Sequence, residues 1–395
     1  MNIALTIFII FQVLVIIHLL FPALLLLLKS LRPKPLKSVQ LINPSFEVDY
    51  AVIVTAYEQT NLIPSVVDSI LRLNYQNFLI YVVADKCDVS GLLFTDPRVV
   101  ILRPEQTLSN NIKSHFYAID RFQRPHERLT IIDSDNLVEP EYLNELNAVF
   151  AQGFEAVQGV REAKNLNSNY ACLDAAGDIY YRYIDRELLF AAGSSASLSG
   201  SGMAFSTRLY KDCLENLVNS GAGFDKILQY EIIKRKSKIA FAEQAVVYDE
   251  KTSKSDQLVK QRARWINTWF KFFKLGLKLN LKGILSLNGN QFLFSIMLLR
   301  PPLFILFFLS FLCFAINIFI MPAVAGIWFL AAISFMLMFY KSLTYFKADQ
   351  RIYDSLKSVP KFMFFQVLAL VKAKKANELS VATKHDQDAN ISDLK

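Results

Sequence analysis

The chain has 395 residues, of which 53% are hydrophobic and only 20% are charged. A soluble domain averages roughly 25% charged residues, so this composition excludes a disordered chain and favours a protein with some surface in lipid. The cationic residues behind the net charge of +8 lie beside apolar segments, which predicts anionic lipid rather than nucleic acid as their partner. Cys87, Cys172, Cys213 and Cys313 form no CxxC pair, which predicts reduced thiols instead of disulfides or a zinc site.

The first predicted element is an apolar helix at the N-terminus. No Asp, Glu, Lys or Arg occurs between Met1 and Leu28, and a helix of this length can cross the ~30 Å hydrocarbon core of a bilayer. A cleaved signal peptide would instead have basic residues before a shorter apolar region. Basic residues directly follow the segment, at Lys29, Arg32, Lys34 and Lys37. By the positive-inside rule, we expect the N-terminus outside and the following chain in the cytoplasm.

The segment from Val48 to Phe270 has the composition of a soluble domain. Short runs rich in Val and Ile predict six β-strands: YAVIVTAY, FLIYVVAD, RVVIL, RLTIIDSD, EAVQGV and KIAFAEQAVVY. Segments of helical period separate most of them, in the order β-α-β-β-α-β-α-β. This order predicts an α/β domain built on a mostly parallel sheet.

Polar side chains stand where three of these predicted strands end. In open α/β sheets the carboxyl ends of the strands form the ligand crevice, so we expect these side chains to converge on one site. Neither GxGxxG after the first strand nor GxxxxGK followed by Ser or Thr occurs, which argues against a dinucleotide-dependent oxidoreductase and a P-loop NTPase. The strand-end residues are Thr55, Tyr57, Glu58, Asp85, Asp133 and Asp135.

Asp133-Ser134-Asp135 is a DxD motif at the end of the strand RLTIID. Two carboxylates in this position can hold a hard cation such as Mg²⁺, which keeps its other positions for water and substrate phosphates. Alternatively, Asp135 or Asn136 caps a helix that begins near Pro140. The motif alone leaves both explanations open.

Three further segments also allow a structural explanation. Asp225, in GAGFDKILQYEI, stands at the predicted start of a helix, where an N-cap role alone would be enough to explain it. Lys113, in NNIKSHFYAI, taken alone is typical of a surface lysine. The tract QRARW, from Gln261 to Trp265, contains Arg and Trp, which also anchor helices at membrane interfaces.

A second uncharged stretch runs from Leu303 to Tyr340 and is interrupted at Met321-Pro322, which predicts a hairpin of two membrane helices. Basic residues flank both of its ends, which places them on the side of the central domain. The segment from Phe362 to Val371 is too short to span a bilayer and predicts an interfacial helix. The polar residues after Lys375 predict a disordered tail.

The predicted organisation is therefore a transmembrane helix with a basic linker (1–47), an α/β domain (48–270), interfacial helices with a membrane hairpin (271–375) and a polar tail (376–395). We expect a multi-pass protein of the cell membrane whose α/β domain is cytoplasmic.

Taken in order, the segments VTAYEQ, VVAD, NIKSHFYAID, DSDN, GSGMAF, FDKILQYEI, VVYDE and QRARW resemble the motifs of membrane-bound inverting glycosyltransferases of family 2. This family includes cellulose, hyaluronan and poly-N-acetylglucosamine synthases. The resemblance covers about residues 50–273 and the flanking helices, and the QxxRW signature matches Gln261, Arg264 and Trp265. It implies a GT-A fold followed by C-terminal membrane helices.

The resemblance also implies a site for a nucleotide-sugar donor. Asp135, together with Asp133, would ligate a divalent metal, Mg²⁺ or Mn²⁺, on the diphosphate. Lys113 and Arg264 would lie near the leaving diphosphate. The residues implied for donor binding are Thr55, Tyr57, Glu58, Asp85, Lys113, Asp133 and Arg264.

For the acceptor side, the resemblance implies Asp225 as the catalytic base. Phe224 stands where the family usually has Glu before this Asp, and Glu231 is the alternative base. The residues implied for the acceptor are Gly200, Ser201, Gly202, Met203 and Trp265, with Gln261, Arg262 and Glu250 as further motif positions. The nucleoside loop has Asp85-Lys86-Cys87-Asp88 in place of the commoner Asp-Asp pair, which leaves the nucleobase open.

The chemistry that these residues allow is sugar transfer with inversion. Fixed cations stabilise a leaving diphosphate, and a single general base without a covalent nucleophile gives a β-linked product from an α-linked donor. We expect a metal-dependent hexosyltransferase that extends a polysaccharide from a UDP-sugar, with an oligomer or export partner because three spans are few for a pore. Two alternatives remain open: transfer of a single sugar to a lipid carrier, and a catalytically silent membrane scaffold subunit.

Overall fold

The structure, a computed structural model, describes residues 3–32, 48–217, 223–373 and 391. The basic linker and the polar tail predicted above lie mostly outside these residues. Within them the chain forms one eight-stranded sheet: β1 (Tyr50–Tyr57), β2 (Phe78–Asp85), β3 (Val99–Leu102), β4 (Arg128–Asp133), β5 (Leu137–Val138), β6 (Ala156–Ala163), β7 (Met203–Ser206) and β8 (Ile239–Asp249).

The helices of the α/β region flank this sheet. They are α2 (Ile63–Leu71), α3 (Asn111–Ile119), α4 (Tyr142–Phe150), α5 (Asn169–Arg182), α6 (Leu189–Ala191), α7 (Thr207–Leu214) and α8 (Phe224–Lys234), with a π-helical turn (Tyr183–Leu188) between α5 and α6. The other helices are α1 (Ile3–Leu31), α9 (Ser255–Leu285), α10 (Gly289–Leu299), α11 (Leu303–Ile320), α12 (Pro322–Tyr345), α13 (Gln350–Ser355) and α14 (Val359–Lys372), with a short 3₁₀ turn (Leu356–Ser358) before α14.

The strand order is β3-β2-β1-β4-β7-β6-β8-β5. β1 pairs in parallel with β2 and β4, and β6 pairs in parallel with β8, while β7 is antiparallel to both β4 and β6. The carboxyl ends of β1, β2, β4, β6 and β8 therefore lie at the same edge. This confirms the predicted α/β fold with a mostly parallel sheet of GT-A type.

The central strands are apolar along their whole length because helices cover both faces of the sheet. In β1, Ile53 packs into the core on the face that also holds α1, whereas Val52 and Val54 pack into the core on the opposite face. All six predicted strands are present, but β5 and β7 were not predicted. β5 has only two residues, and β7 follows a glycine-rich stretch whose sequence has no strand periodicity.

Three helices in the described part of the chain are long and apolar enough to span a membrane: α1, α11 and α12. The break between α11 and α12 falls at Met321, as predicted from the Met-Pro pair. Polar side chains connect all three, because Gln12 Oε1 accepts hydrogen bonds from Asn317 Nδ2 and from Trp328 Nε1 at 2.9 Å. Such bonds between apolar helices help to fix their arrangement.

Helices α9 and α14 pack against each other beside the α/β region. α14 extends the predicted interfacial helix by a few residues at its start. α9 runs without a break across residue 270, where the sequence suggested a domain boundary. Exposed apolar side chains line both helices, among them Phe270, Leu281, Phe364 and Val371.

Candidate active site

The carboxyl edge of the sheet brings together most of the predicted donor residues. Thr55 pairs with Asp133 between β1 and β4, and Tyr57 pairs with Asp85 between β1 and β2. Neighbouring strands lie about 4.8 Å apart, so these four residues occupy one short stretch of the edge. We call the ends of β1, β2 and β4 the β1–β4 half, and the ends of β6 and β8 the β6–β8 half.

Asp85 is 2% exposed, and its carboxylate fixes a neighbouring loop. Oδ1 accepts a hydrogen bond from the backbone N–H of Leu108 at 2.9 Å, and Oδ2 accepts one from Ser109 at 2.7 Å. The hydroxyl of Ser109 in turn lies 3.4 Å from the Tyr57 hydroxyl. Asp85 thus fixes the position of the 108–109 loop beside the ends of β1 and β2.

Glu58 and Lys86 directly follow β1 and β2. Both residues have positive φ angles, 60° and 55°, so each strand turns sharply where it ends. The carboxylate of Glu58 lies 2.7 Å from Lys86 Nζ, and this hydrogen bond lowers the pKa of Glu58. Lys113 stands in the first turn of α3, which Asn110 caps, and its side chain is exposed next to the same loop.

The DxD motif forms a tight turn after β4. The N–H of Asn136 donates to the backbone oxygen of Asp133 at 3.0 Å, and the N–H of Asp133 donates to Ser201 Oγ at 3.1 Å. Asp135 is 7% exposed, and Lys164 Nζ donates to its backbone oxygen at 3.1 Å. The alternative that Asp135 or Asn136 caps the next helix is wrong, because α4 begins at Tyr142 and no side chain caps it.

The residues of the DxD turn fit a divalent metal by the chemistry of their donors. Asp133 and Asp135 offer two carboxylates at one strand end, and hard oxygen ligands of this kind suit Mg²⁺ or Mn²⁺. Within the described residues there is no group of three or more His, Cys, Asp or Glu placed to hold a metal. A metal at this turn would therefore rely on the donor diphosphate and water for its other ligands.

The glycine-rich stretch before β7 supports the DxD turn. Gly200 and Gly202 have φ angles of 92° and 64°, and a Cβ on Gly202 would lie 3.0 Å from the Val247 side chain. Ser201 is fully buried and donates a hydrogen bond to Asn136 Oδ1. Met203 is also fully buried, in the core. The side chains of Ser201 and Met203 thus serve the fold, and an acceptor could meet only the backbone here.

Asp225 lies in the first turn of α8, but it is not the N-cap. Gly223 occupies that position with a left-handed φ of 97°, and the cap has no side-chain hydrogen bond. Asp225 Oδ2 lies 3.3 Å from Lys226 Nζ. One turn further along the same face, Gln229 Oε1 accepts a hydrogen bond from Leu198 N–H at 3.1 Å. This hydrogen bond connects α8 to the chain just before the glycine-rich stretch that supports the DxD turn.

Glu231, the alternative base, faces a different direction. Six residues separate it from Asp225, which rotates it by about 240° around the helix. Its carboxylate is paired with Lys234 at 3.1 Å and with Arg235. Arg235 also donates to the backbone oxygen of Asp212 on α7. Glu231 therefore belongs to a surface ion network on the α7 side of the helix.

Helix α9 packs onto the start of α8. A Cβ on Gly223 would lie 2.8 Å from Thr268 and 2.6 Å from Phe272, so only glycine allows this approach. Arg264 lies one turn before Thr268 on the same face, close to the turn that precedes Asp225. Burial lowers the pKa of Arg264. The QxxRW arginine thus lies on the face of α9 that packs against the start of α8.

The other residues of the QxxRW tract contact different parts of the structure. Gln261 Oε1 accepts a hydrogen bond from the Thr252 hydroxyl at 3.3 Å, which ties α9 to the loop after β8. Arg262 pairs with Asp174 on α5 and lies 4.2 Å from the Trp265 ring centroid. Trp265 is 49% exposed. The helix that carries it, α9, packs against α14.

The sequence did not reveal a buried ion network in the β6–β8 half. Arg161, near the end of β6, pairs with Asp249, and Lys251 lies 2.8 Å from Asp249 and 2.7 Å from Asp178. Arg161 Nη1 also donates to the backbone oxygen of Ser199 at 2.8 Å, two residues before Ser201. Glu250 lies within this segment. Charged residues at the ends of the EAVQGV and VVYDE strands were the signal that could have revealed it.

The fold and the carboxyl edge define a glycosyltransferase of GT-A type. The model of the family described as "Glycosyltransferase like family 2" matches residues 48–268, more than half of the chain. The protein belongs to this glycosyltransferase family. No curated protein matches it significantly.

Comparison with solved structures gives two matches to report. The mannosyltransferase PcManGT from Pyrobaculum calidifontis, solved in complex with GDP-Man and Mn²⁺, has a TM-score of 0.58 at 15% identity, with 93% of this chain and 98% of that chain covered. S. aureus TarS has a TM-score of 0.38 at 14% identity, with 63% of this chain and 55% of that chain covered.

Proposed function

We propose that this membrane-embedded glycosyltransferase moves a sugar from a UDP-sugar, with inversion, onto the end of a growing β-linked polysaccharide. The observation that carries the proposal is the register of the β1–β4 half, which sets Thr55 beside Asp133 and Tyr57 beside Asp85. This pairing supports a nucleoside pocket next to a diphosphate site.

In the proposed reaction, the nucleoside binds between Tyr57 and the loop that Asp85 holds. Lys113 and Arg264 supply positive charge towards the diphosphate. As the bond between the sugar and the diphosphate breaks, negative charge builds up on the leaving group, and fixed cations nearby lower the barrier. A divalent metal held by Asp133 and Asp135 would supply further positive charge to the diphosphate.

Asp225 is the proposed general base. It removes the proton of the acceptor hydroxyl as that oxygen attacks the anomeric carbon from the face opposite the diphosphate. Because Gly223 already takes the N-cap position, capping does not explain an aspartate here.

The acceptor has a second candidate, which is a lipid carrier that receives a single sugar. The exposed Trp265, on a helix that packs against α14 with its own exposed apolar side chains, favours an acceptor bound close to lipid. The product separates the two candidates, because repeated addition gives a ladder of lengths and single transfer gives one glycolipid.

The test is to incubate the purified full chain in detergent with radiolabelled UDP- and GDP-sugars, with Mg²⁺ or Mn²⁺, and to size the products. GDP-mannose belongs in the panel because PcManGT was solved with GDP-Man and Mn²⁺. We expect transfer from one UDP-sugar and none in EDTA. Undiminished transfer in EDTA would refute the metal role, and no transfer or hydrolysis of any donor would favour the scaffold alternative.

We also propose that the α/β region faces the cytoplasm, where nucleotide sugars are made. The three candidate spans and the basic residues after α1 support an N-terminus outside the cell. A reporter fused after α12 should read as cytoplasmic. A reporter within the α/β region that reads as extracellular would refute both the topology and the donor assignment.

A further inference from the structure

Lys164 directly follows β6 and is buried, with 7% of its surface exposed. Its ammonium group donates a hydrogen bond to the backbone oxygen of Asp135 at 3.1 Å, so a charged side chain of the β6–β8 half contacts the DxD turn. Removing an ammonium group from water costs free energy, and a lysine is rarely this buried without a specific partner. The contact with Asp135 therefore indicates a specific role for this lysine.

The main chain around Lys164 is held independently of its side chain. The N–H of Lys164 donates to the backbone oxygen of Asp249 at 2.8 Å, at the end of the ladder between β6 and β8. The side chain of Asn165 accepts a hydrogen bond from the N–H of Lys251 at 2.7 Å and donates one to the backbone oxygen of Lys251 at 3.1 Å. The ammonium group thus extends from a main chain that is fixed on β8.

The DxD turn has an attachment on each side of Asp135. Before it, the Ser201 hydroxyl accepts a hydrogen bond from the N–H of Asp133. After it, β5 pairs with β8. Lys164 contacts Asp135 between these two attachments, at the residue whose carboxylate is the predicted metal ligand. Because the allowed rotamers of a side chain depend on its backbone angles, a hydrogen bond that fixes the Asp135 main chain also restricts its carboxylate.

We propose that Lys164 is a positioning residue for the DxD turn. By holding the backbone oxygen of Asp135, its ammonium group fixes the direction of the Asp135 carboxylate before the donor and its metal bind. Groups that are ordered in advance do not have to be reorganised during the reaction. The importance of the turn for catalysis rests on the proposed function, whereas the contact that orders the turn does not.

The first test measures the order of the turn by hydrogen–deuterium exchange and mass spectrometry, on the full-length protein in detergent without metal or donor. Lys164→Met removes the charge and the hydrogen-bond donor but keeps much of the side-chain volume. Loss of one charge-assisted hydrogen bond should make the peptide that contains residues 133–136 exchange about tenfold faster. The peptide that contains β2 is the internal reference and should be unchanged. Exchange of residues 133–136 at the wild-type rate would overturn the proposal.

Lys251→Met is the matched control, because it also removes a buried ammonium group from the β6–β8 half. This ammonium group pairs with Asp178 and Asp249 instead of contacting the DxD turn. We expect Lys251→Met to lower the unfolding temperature without a selective effect on residues 133–136. Equal acceleration of these residues in both methionine variants would assign the effect to lost charge in the ion network, and the positioning role would be wrong.

A second variant covers the case in which Lys164→Met does not fold. Lys164→Gln keeps an amide donor on a shorter side chain without the charge. Residues 133–136 should again exchange faster than in the wild type, by a smaller factor than in Lys164→Met, because a neutral hydrogen bond is weaker than a charged one. Wild-type exchange in Lys164→Gln would count against the proposal in the same way.

Mn²⁺ binding separates positioning from a simple effect of charge. A lysine that acted only through its charge would repel Mn²⁺, so Lys164→Met would bind the ion more tightly than the wild type. Positioning predicts the opposite, which is about tenfold weaker binding of Mn²⁺ in the presence of UDP, measured by electron paramagnetic resonance. Tighter binding by Lys164→Met would contradict the positioning role.

Transfer assays on the same samples distinguish this inference from the proposed function. Faster exchange of residues 133–136 in Lys164→Met, together with no sugar transfer by the wild type, would refute the proposed function and leave the positioning of the turn by Lys164 standing. Transfer by the wild type with unchanged exchange in Lys164→Met would support the proposed function and overturn the role of Lys164.

Discussion

The two halves of the carboxyl edge are held together in different ways. In the β1–β4 half, the side chains are positioned by strand register and by hydrogen bonds to backbone groups, as with Asp85 and its two amide donors. In the β6–β8 half, buried ion pairs such as Arg161 with Asp249 take that role. The first half is therefore positioned mainly by hydrogen bonds, and the second mainly by ion pairs.

This difference has an energetic consequence. Some residues hold a loop through hydrogen bonds to its backbone, and substituting one of them should change the geometry of that loop alone. Removing one member of a buried ion pair instead weakens the compensation of the other member's charge. We expect substitutions in the β1–β4 half to affect donor use, and those in the β6–β8 half to affect stability first.

The largest effect is expected for Asp135→Asn in the β1–β4 half. The amide is a poor ligand for the proposed metal, so the leaving diphosphate loses counter-charge and transfer should fall by about 10²–10³-fold. Initial rates measured over a range of Mn²⁺ concentrations check this. Asp120→Asn, an exposed aspartate at the end of α3, is the matched control and should transfer at the wild-type rate.

In the β6–β8 half, Arg161→Gln should destabilise the fold by about 1–3 kcal/mol, because the Asp249 carboxylate and the Ser199 carbonyl lose a buried donor while Lys251 still compensates the charge of Asp249. Thermal unfolding in detergent measures the change. Arg161→Lys keeps the charge and should lose clearly less. If Arg161→Gln unfolds at the wild-type temperature, the ion network does not hold this half together.

A smaller effect is expected for Asp85→Asn. The side-chain amide nitrogen of the new asparagine would face a backbone N–H of the 108–109 loop, so this loop should shift. We expect the KM for the donor to rise about tenfold, with a smaller change in kcat. Steady-state kinetics with varied donor give both constants. An unchanged KM would show that the loop does not contact the nucleotide.

Much of the fold could be predicted from the sequence, because its signals are local. The Val- and Ile-rich runs predicted six strands, and the Met321-Pro322 break placed the turn of the hairpin. The strand β7 could not be predicted from periodicity, since it depends on pairing with β4 and β6 on both sides. The sequence also left open an N-cap role for Asp225, and the structure excludes it because the left-handed Gly223 takes that position.

The candidate site also has one part that local sequence signals predicted and another part that depends on long-range contacts. Strand ends placed Thr55, Tyr57, Asp85 and Asp133 at one edge, and register then brought them side by side. The pairing of Arg161 with Asp249 joins residues 88 positions apart, and the charged residues at the two strand ends indicate such a network only once β6 and β8 are known to be neighbours. The roles of the predicted residues in binding and catalysis stay predictions.

The central claim is that Asp225 is the base of a sugar-transfer reaction at this edge. The most direct measurement compares the transfer rate and donor affinity of Asp225→Asn and Glu231→Gln with those of the wild type. We predict that Asp225→Asn lowers transfer by about 10²-fold or more with donor affinity nearly unchanged, since asparagine cannot accept the acceptor's proton, and that Glu231→Gln transfers at close to the wild-type rate. Near wild-type transfer by Asp225→Asn together with loss of transfer in Glu231→Gln would contradict the account and move the base to Glu231.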